Sequence, residues 1–447
     1  EVCTFPYQAP VTLDGYQLYF GQLHAHTNIS DGAGSVTEAF DHASDVDNLD
    51  FLAVTDHSNS FDNESDASVD LGADLLSSET SSEWVQGHKA AKDATKDDFV
   101  GIYGFEMTWS DGFGHINTFN TPGFESRSNS EFGNKSGSTE GYQNYYDKLV
   151  EVEDSLSQFN HPGTTFGDFQ DFAFYDPQVD QRITLIEVGN GEGAIGSSGY
   201  FPSYEYYTRA LDKGWHVAPT NNQDNHKGNW GDSNTARSVV LASGLTEEGI
   251  YDAIRNYRVY ATEDNDLSIL YDLNGNAMGS ILSKQDAVEI TAQISDPTDT
   301  ADMKVEVIVN GGLVLDSQTL TDGKGTVTFT FDSNDYSYYY LRVTQADQNI
   351  AVTAPVWTGE GVNAGISKTE CDTALVVKGE EVTISSELYN NAGSNMTVES
   401  LTFSVDGIEK PIYTANVSQI GTNGVIYSGG SYTVSFPYAF TQAGKAT

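Results

Sequence analysis

The feature that most constrains this chain is a change of period. From residue 17 to 264, apolar runs of strand length alternate with helix-like segments, and near residue 265 the helical periodicity stops. The runs are YQLYFGQL, DFLAVT, DFVGIYGFEM, HINTFN, LSQF, ITLIEVGN, WHVAPT and ARSVVLA. Near-continuous apolar runs fit strands buried on both faces of a parallel sheet. Between them, Ser35-Val36-Thr37-Glu38 is a capping box, and Val36, Ala39, Phe40, Ala43 and Val46 follow at helical spacing. Thr246 opens a second helix, TEEGIYDAIRNY. Eight candidate strands alternating with helices predict an α/β barrel.

Beyond residue 265, MKVEVIVNG, GTVTFTF and YYYLRVTQ alternate in strand fashion between turn residues. This predicts a β-sandwich ending near Trp357. A second all-β unit starts near residue 366, and its turn spacing fits immunoglobulin-like modules. The expected division is a barrel over 1–264, a β-sandwich module over 265–358 and a second immunoglobulin-like module, cut short, over 359–447. Long polar connections at 58–82, 122–141 and 190–202 are expected to shape a pocket.

Lys and Arg total 21 against 65 Asp and Glu, a formal charge of −44. Such a field repels phosphate backbones and argues against binding duplex nucleic acid. A small anionic substrate remains compatible, because bound cations dominate the potential at a metal site. No run of 18 or more apolar residues appears, so no membrane span is expected. Acidity and β modules lead us to expect an extracellular or cell-surface protein with its signal peptide removed. Cys3 and Cys371 are the only cysteines and lack metal-type spacing. A disulfide and two unpaired thiols both stay open.

The histidines carry the chemistry. His24 and His26, in QLHAHTNISDG, point to one side if the segment is extended, at the strand end where barrels build their sites. DFLAVTDHS ends in Asp56-His57, GFEMTWSDGFGHIN supplies Glu106 and His115, QFNHPG supplies His161, and TNNQDNH supplies Asp224 and His226. Six of nine histidines thus sit at junctions of apolar runs. His42, His88 and His216 lie inside regular patterns and read as structural.

The ordered set HAH with SDG, TDH, E with GH, NHPG and DNH resembles the PHP family, named after polymerase and histidinol phosphatase. The stretch from ARSVVL to EEGIYDAIRNYRVYAT further resembles a branch that includes carbaryl hydrolases. The resemblance implies a distorted (β/α)7 TIM-like barrel with two or three divalent ions, Zn, Mn or Fe, at its C-terminal face. It implies that His24, His26 and Asp224 hold a first ion and that Glu106 bridges to a second. His115 and His161 would complete the second site, and Asp31, His57 and His226 the third. Asp31 stands where some relatives have histidine, which hardens the third site toward oxygen-preferring metals.

Mixed histidine and carboxylate ligands without thiolate suit those metals. Three dications (+6) against Asp31, Glu106 and Asp224 (−3) leave a formal +3, attractive to a phosphate ester. Two ions roughly 3.5–4 Å apart can share a hydroxide and stabilise both attacking and leaving oxygens. Arg237, opening the strand after DNH, is the expected phosphate clamp, with a structural ion pair as the alternative. Lys227 is the weaker basic candidate. Asp56 is expected to orient a ligand or to cap a strand end. The leading expectation is a metal-dependent phosphoesterase acting on a small molecule. A carboxylic ester, carbamate or amide hydrolase using the same ions is the second, and a surface binding protein with an inactive barrel the third.

Overall fold

The structure, a computed structural model, describes residues 13–441 apart from 67–68, 79–81, 111, 134–137, 360–363, 374–376, 391–394, 406–409 and 428–429. It is a mixed α/β protein, rich in sheet and with few helices. One compact unit comprises the described residues up to 207 and from 216 to 360; the other comprises 208–215 and those after 360. Cys3, and with it the question of a disulfide, lies outside the described residues.

The first part of the chain forms β1 (Gln17–Gln22), β2 (Phe51–Val54), β3 (Val100–Tyr103), β4 (Phe105–Thr108), β5 (His115–Phe119), β6 (Leu156–Asn160), β7 (Ile183–Asn190), β8 (Phe201–Pro202), β9 (Ala218–Asn222), β10 (Arg237–Ala242) and β11 (Val259–Thr262). Every residue of β2 through β7 is buried, the polar ones in β4 to β7 included. The run DFVGIYGFEM, expected as one strand, breaks at Gly104 into two strands of different sheets. A Cβ at Gly104 would stand 2.5 Å from the Thr118 carbonyl oxygen, so only glycine lets the chain pass there.

β1, β2 and β3 pair in parallel, while β10 runs antiparallel to β1 and β11 antiparallel to β10. In the second sheet β6, β7 and β9 are parallel, whereas β4, β5 and β6 are antiparallel. The expectation of a purely parallel sheet is therefore corrected. Residues 109–114 join β4 to β5, too few for the crossover of about a dozen residues that a parallel pair needs. The two sheets meet through single bridges, His57 with Glu106 and Ala25 with Asn225. Both bridges fall beside expected site residues.

The two helices read from the sequence form. Ser35 and Glu38 close a capping box on helix Val36–Ala43, which buries Val36, Ala39, Phe40 and Ala43. Thr246 caps helix Glu247–Arg255 through the Gly249 N–H. Beyond residue 264, strands Ser268–Leu273, Val288–Ser295 and Lys324–Phe331 build a separate sheet with Asn276–Ala277. Strand Ile350–Thr353 instead pairs with β11, so that strand together with Met303–Val309, Leu313–Leu320, Tyr338–Thr344 and Val356–Thr358 extends the sheet of β1 across the boundary expected at 264.

In the second unit, Ala364–Cys371, Glu381–Asn390 and Gly430–Ala439 form an antiparallel sheet. Its apolar side packs Ile384, Leu388, Leu401, Phe403 and Phe436 into one core. Among the described residues no helix is long and apolar enough to cross a membrane.

Candidate metal centre

Just past β1, His24 and His26 turn to the same point, and both are fully buried. Their Nε2 atoms stand 3.1 Å apart. Asp224, in the turn after β9, brings Oδ1 to 3.2 Å from His24 Nε2 and 2.9 Å from His26 Nε2. A cation about 2.0–2.2 Å from each nitrogen or oxygen ligand sets its neighbouring ligands roughly 3.0–3.6 Å apart. The trio has that spacing.

Glu106, in the middle of β4, is the hub. Oε1 lies 3.6 Å from His24 Nε2, 3.4 Å from His161 Nε2 and 3.2 Å from His115 Nδ1. Oε2 lies 2.6 Å from His57 Nδ1 and 3.7 Å from His26 Nε2. Asn160 donates to Oε1 at 2.9 Å and fixes the carboxylate. The third group joins Asp31 Oδ1 to His57 Nε2 at 3.5 Å and to His226 Nε2 at 3.3 Å. Gly32 lets this loop press on His26, since a Cβ there would meet the His26 carbonyl at 2.6 Å.

All nine expected ligands converge. Three sets have ligand atoms within 4.8 Å of one another: His24, His26 and Asp224; His24, Glu106 and His161; and His26, Asp31, His57 and His226. His24 and His26 are thus shared between sets. His115 reaches Glu106 but stands outside the three sets. Asp224 Oδ1 and Glu106 Oε2 are buried without an aligned hydrogen bond, although imidazole nitrogens surround them. Donor groups of histidine and carboxylate alone, gathered this closely, are compatible with binding metal ions. His161 (φ 29) and Asp224 (φ 49) hold left-handed backbone, and such strain clusters at functional sites.

A supporting layer holds the ligands. Glu187, which sequence reasoning missed, takes His24 Nδ1 at 3.0 Å, the His161 N–H at 2.7 Å and the amides of Asn190 and Asn222 at 2.9 Å each. Its signal was present: it is the lone carboxylate within the apolar run ITLIEVGN, and a carboxylate buried there needs partners. The Asp56 carboxylate is engaged at the loop behind His26. It accepts from the Thr27 N–H and hydroxyl at 2.7 Å and from Ser30 Oγ at 2.6 Å, tying down the loop behind His26. Thr108 Oγ1 meets His57 Nδ1 at 2.7 Å.

The electrostatics match this layout. Burial opposes charge on both Glu106 and Asp224, but the surrounding imidazoles outweigh it and hold both carboxyls well below their usual range. Burial likewise opposes the His57 proton, yet Glu106 and Asp31 hold it up to about 10. On His226, Asp31 and Asp224 outweigh burial and raise it to about 9. We expect Glu187→Gln to weaken metal affinity about 10–100-fold while the fold stays intact, the range for such partners. Metal titration with circular dichroism as a control checks it.

Arg237 does not come to the site as the expected clamp. It is 1% exposed, and its guanidinium donates to the carbonyls of Asn48, Asn234 and Ala236 at 2.9, 3.2 and 2.8 Å. At the start of β10, it ties the residues before β2 to that strand. Lys227, 74% exposed and 3.4 Å from Glu192, does line the cleft beside the cluster. His88 packs on Trp84, His216 pairs with Asp180 at 2.7 Å, and His42 stays near the surface; none joins the cluster.

No protein-family model matches the chain. An uncharacterized protein of Chlamydia pneumoniae is 29% identical over 143 residues, which span 27% of this chain and 22% of that protein. A two-domain protein of Bacteroides vulgatus, containing a predicted PHP-like metal-dependent phosphoesterase, matches 80% of this chain and 100% of its own at 18% identity and a TM-score of 0.43.

Proposed function

We propose that this chain is a metal-dependent hydrolase that cleaves phosphate monoesters at the cluster around Glu106. The observation that carries the reading is the sharing of His24 and His26 among three ligand sets, which puts neighbouring cation positions side by side. His24, His26 and Asp224 would hold one ion, Glu106, His161 and His115 a second, and Asp31, His57 and His226 a third. Bound there, the ions would lower the pKa of water and neutralise charge on the reacting phosphoryl oxygens.

The chain's own residues do the rest. Glu106 would be shared between two ions, and Asn160 holds its carboxylate in place. Glu187 sets the His24 tautomer by accepting at Nδ1 and leaves Nε2 facing the cluster. Lys227 stands at the mouth as the accessible cation that Arg237 is not. Substrate would enter through a cleft of about 670 Å³ lined by His161, Asp224 and His226. Release of inorganic phosphate from small monoesters by Mn²⁺- or Zn²⁺-loaded protein tests the reading. Metal-replete protein that turns over no phosphoester sinks it.

A second reading, hydrolysis of an aryl ester or carbamate, is favoured by the burial of Arg237 and by the resemblance of residues 236–262 to carbaryl hydrolases. Faster turnover of aryl acetates than of aryl phosphates would select it. We read the β regions as immunoglobulin-like spacers of an extracellular or surface enzyme; alternation and acidity support this.

A further inference from the structure

Phe166 and Phe201 are 47% and 59% exposed, unusual for large apolar side chains, and both line the cleft that reaches His161, Asp224 and His226. Phe166 is held in place: its ring centroid is 5.2 Å from that of His115 and 4.8 Å from that of His161. Phe201 is fixed by pairing of β8 with Asn190 of β7, and a Cβ at Gly191 would stand 3.2 Å from its ring. Two anchored rings left open beside a polar centre mark a surface that a ligand covers.

Several polar groups lining the cleft are engaged within the protein. Asn190 donates to Glu187 at 2.9 Å, and Ser203 Oγ donates to the Glu187 carbonyl at 2.8 Å. Glu192 takes Lys227 at 3.4 Å and the His226 N–H at 3.1 Å. Glu192 and Glu205 on the walls disfavour a second anionic group. The volume, about 670 Å³, leaves room for an organic group beyond a bare phosphate.

We propose that the cleft selects phosphate monoesters whose leaving group is a neutral, flat aromatic ring seated against Phe166 and Phe201. The proposal rests on the hydrolase reading above and names its substrate class. In the reaction a water oxygen bonds to phosphorus and the bond between phosphorus and the aryl oxygen breaks. The aryl alcohol leaves with one water proton, and hydrogen phosphate carries the other.

The test compares phenyl phosphate with methyl phosphate, and phenylphosphonate with methylphosphonate as non-hydrolysed ligands, on metal-loaded protein. Wild type should bind phenylphosphonate on the order of tenfold tighter than methylphosphonate by calorimetry. Phe201→Ala and Phe166→Ala should each lower the phenyl-to-methyl ratio of kcat/KM on the order of tenfold, with metal content unchanged. Phe201→Ala is the safer variant, because its side chain touches no candidate ligand in the way that Phe166 does. Equal losses on both substrates, or equal affinity for both phosphonates, overturn the aromatic seat. If no phosphate ester is hydrolysed, the functional reading falls, and the phosphonate affinities still decide the seat.

Discussion

Replacing Glu106 with glutamine should cut hydrolysis by on the order of 10³-fold or more and release at least one metal ion per chain. The size follows from position. One carboxylate faces His24, His26, His57, His115 and His161 at 2.6–3.7 Å, with 1% exposure. Glutamine keeps the shape but loses the charge, and it turns an N–H₂ group toward a position meant for a cation. Metal analysis alongside phosphate release checks this. A variant with full metal content and full turnover contradicts it.

Metal loading should also stabilise the protein strongly, and more so as pH rises. A ligand present at about 1,000 times its Kd adds about 4 kcal/mol per site, a rise in Tm on the order of 10 °C. The pH sign comes from His57 and His226, raised from the usual 6.5 to about 10 and about 9 against the opposing effect of burial. Without metal, their protonated forms contribute stability that is complete below pH 6.5 and disappears as pH climbs through about 9 and about 10. Cations must displace those protons, so the gain in Tm on adding Zn²⁺ or Mn²⁺ grows between pH 6.5 and 9. Thermal melts at both ends of that window, with and without metal, read it directly. A gain that is equal or larger at the acid end contradicts the assignment.

What the sequence made legible follows from locality. An i, i+2 histidine pair, or a histidine at the end of an apolar run, is placed largely by local chain geometry, which is why His24, His26, His57, His115, His161 and His226 come together around Glu106. Arg237 shows the opposite case. Its place at the start of a strand was readable, but which face it takes depends on the residues before β2, 189 positions away. Glu187 was hidden because a buried carboxylate in an apolar strand looks like one more strand residue until its partners are known. The antiparallel β10 and β11 were also hidden, since apolar runs carry no direction. The division at 264 followed composition, whereas the β11 pairing with Ile350–Thr353 depends on contacts distant in sequence.

Crystals of metal-replete protein, measured across the Mn, Fe and Zn absorption edges, test the central claim most directly. The account predicts anomalous peaks between His24, His26 and Asp224 and between Glu106, His115 and His161, with a third beside Asp31, His57 and His226 when that site is filled. Well-ordered side chains at these positions with no anomalous peak among them would contradict it.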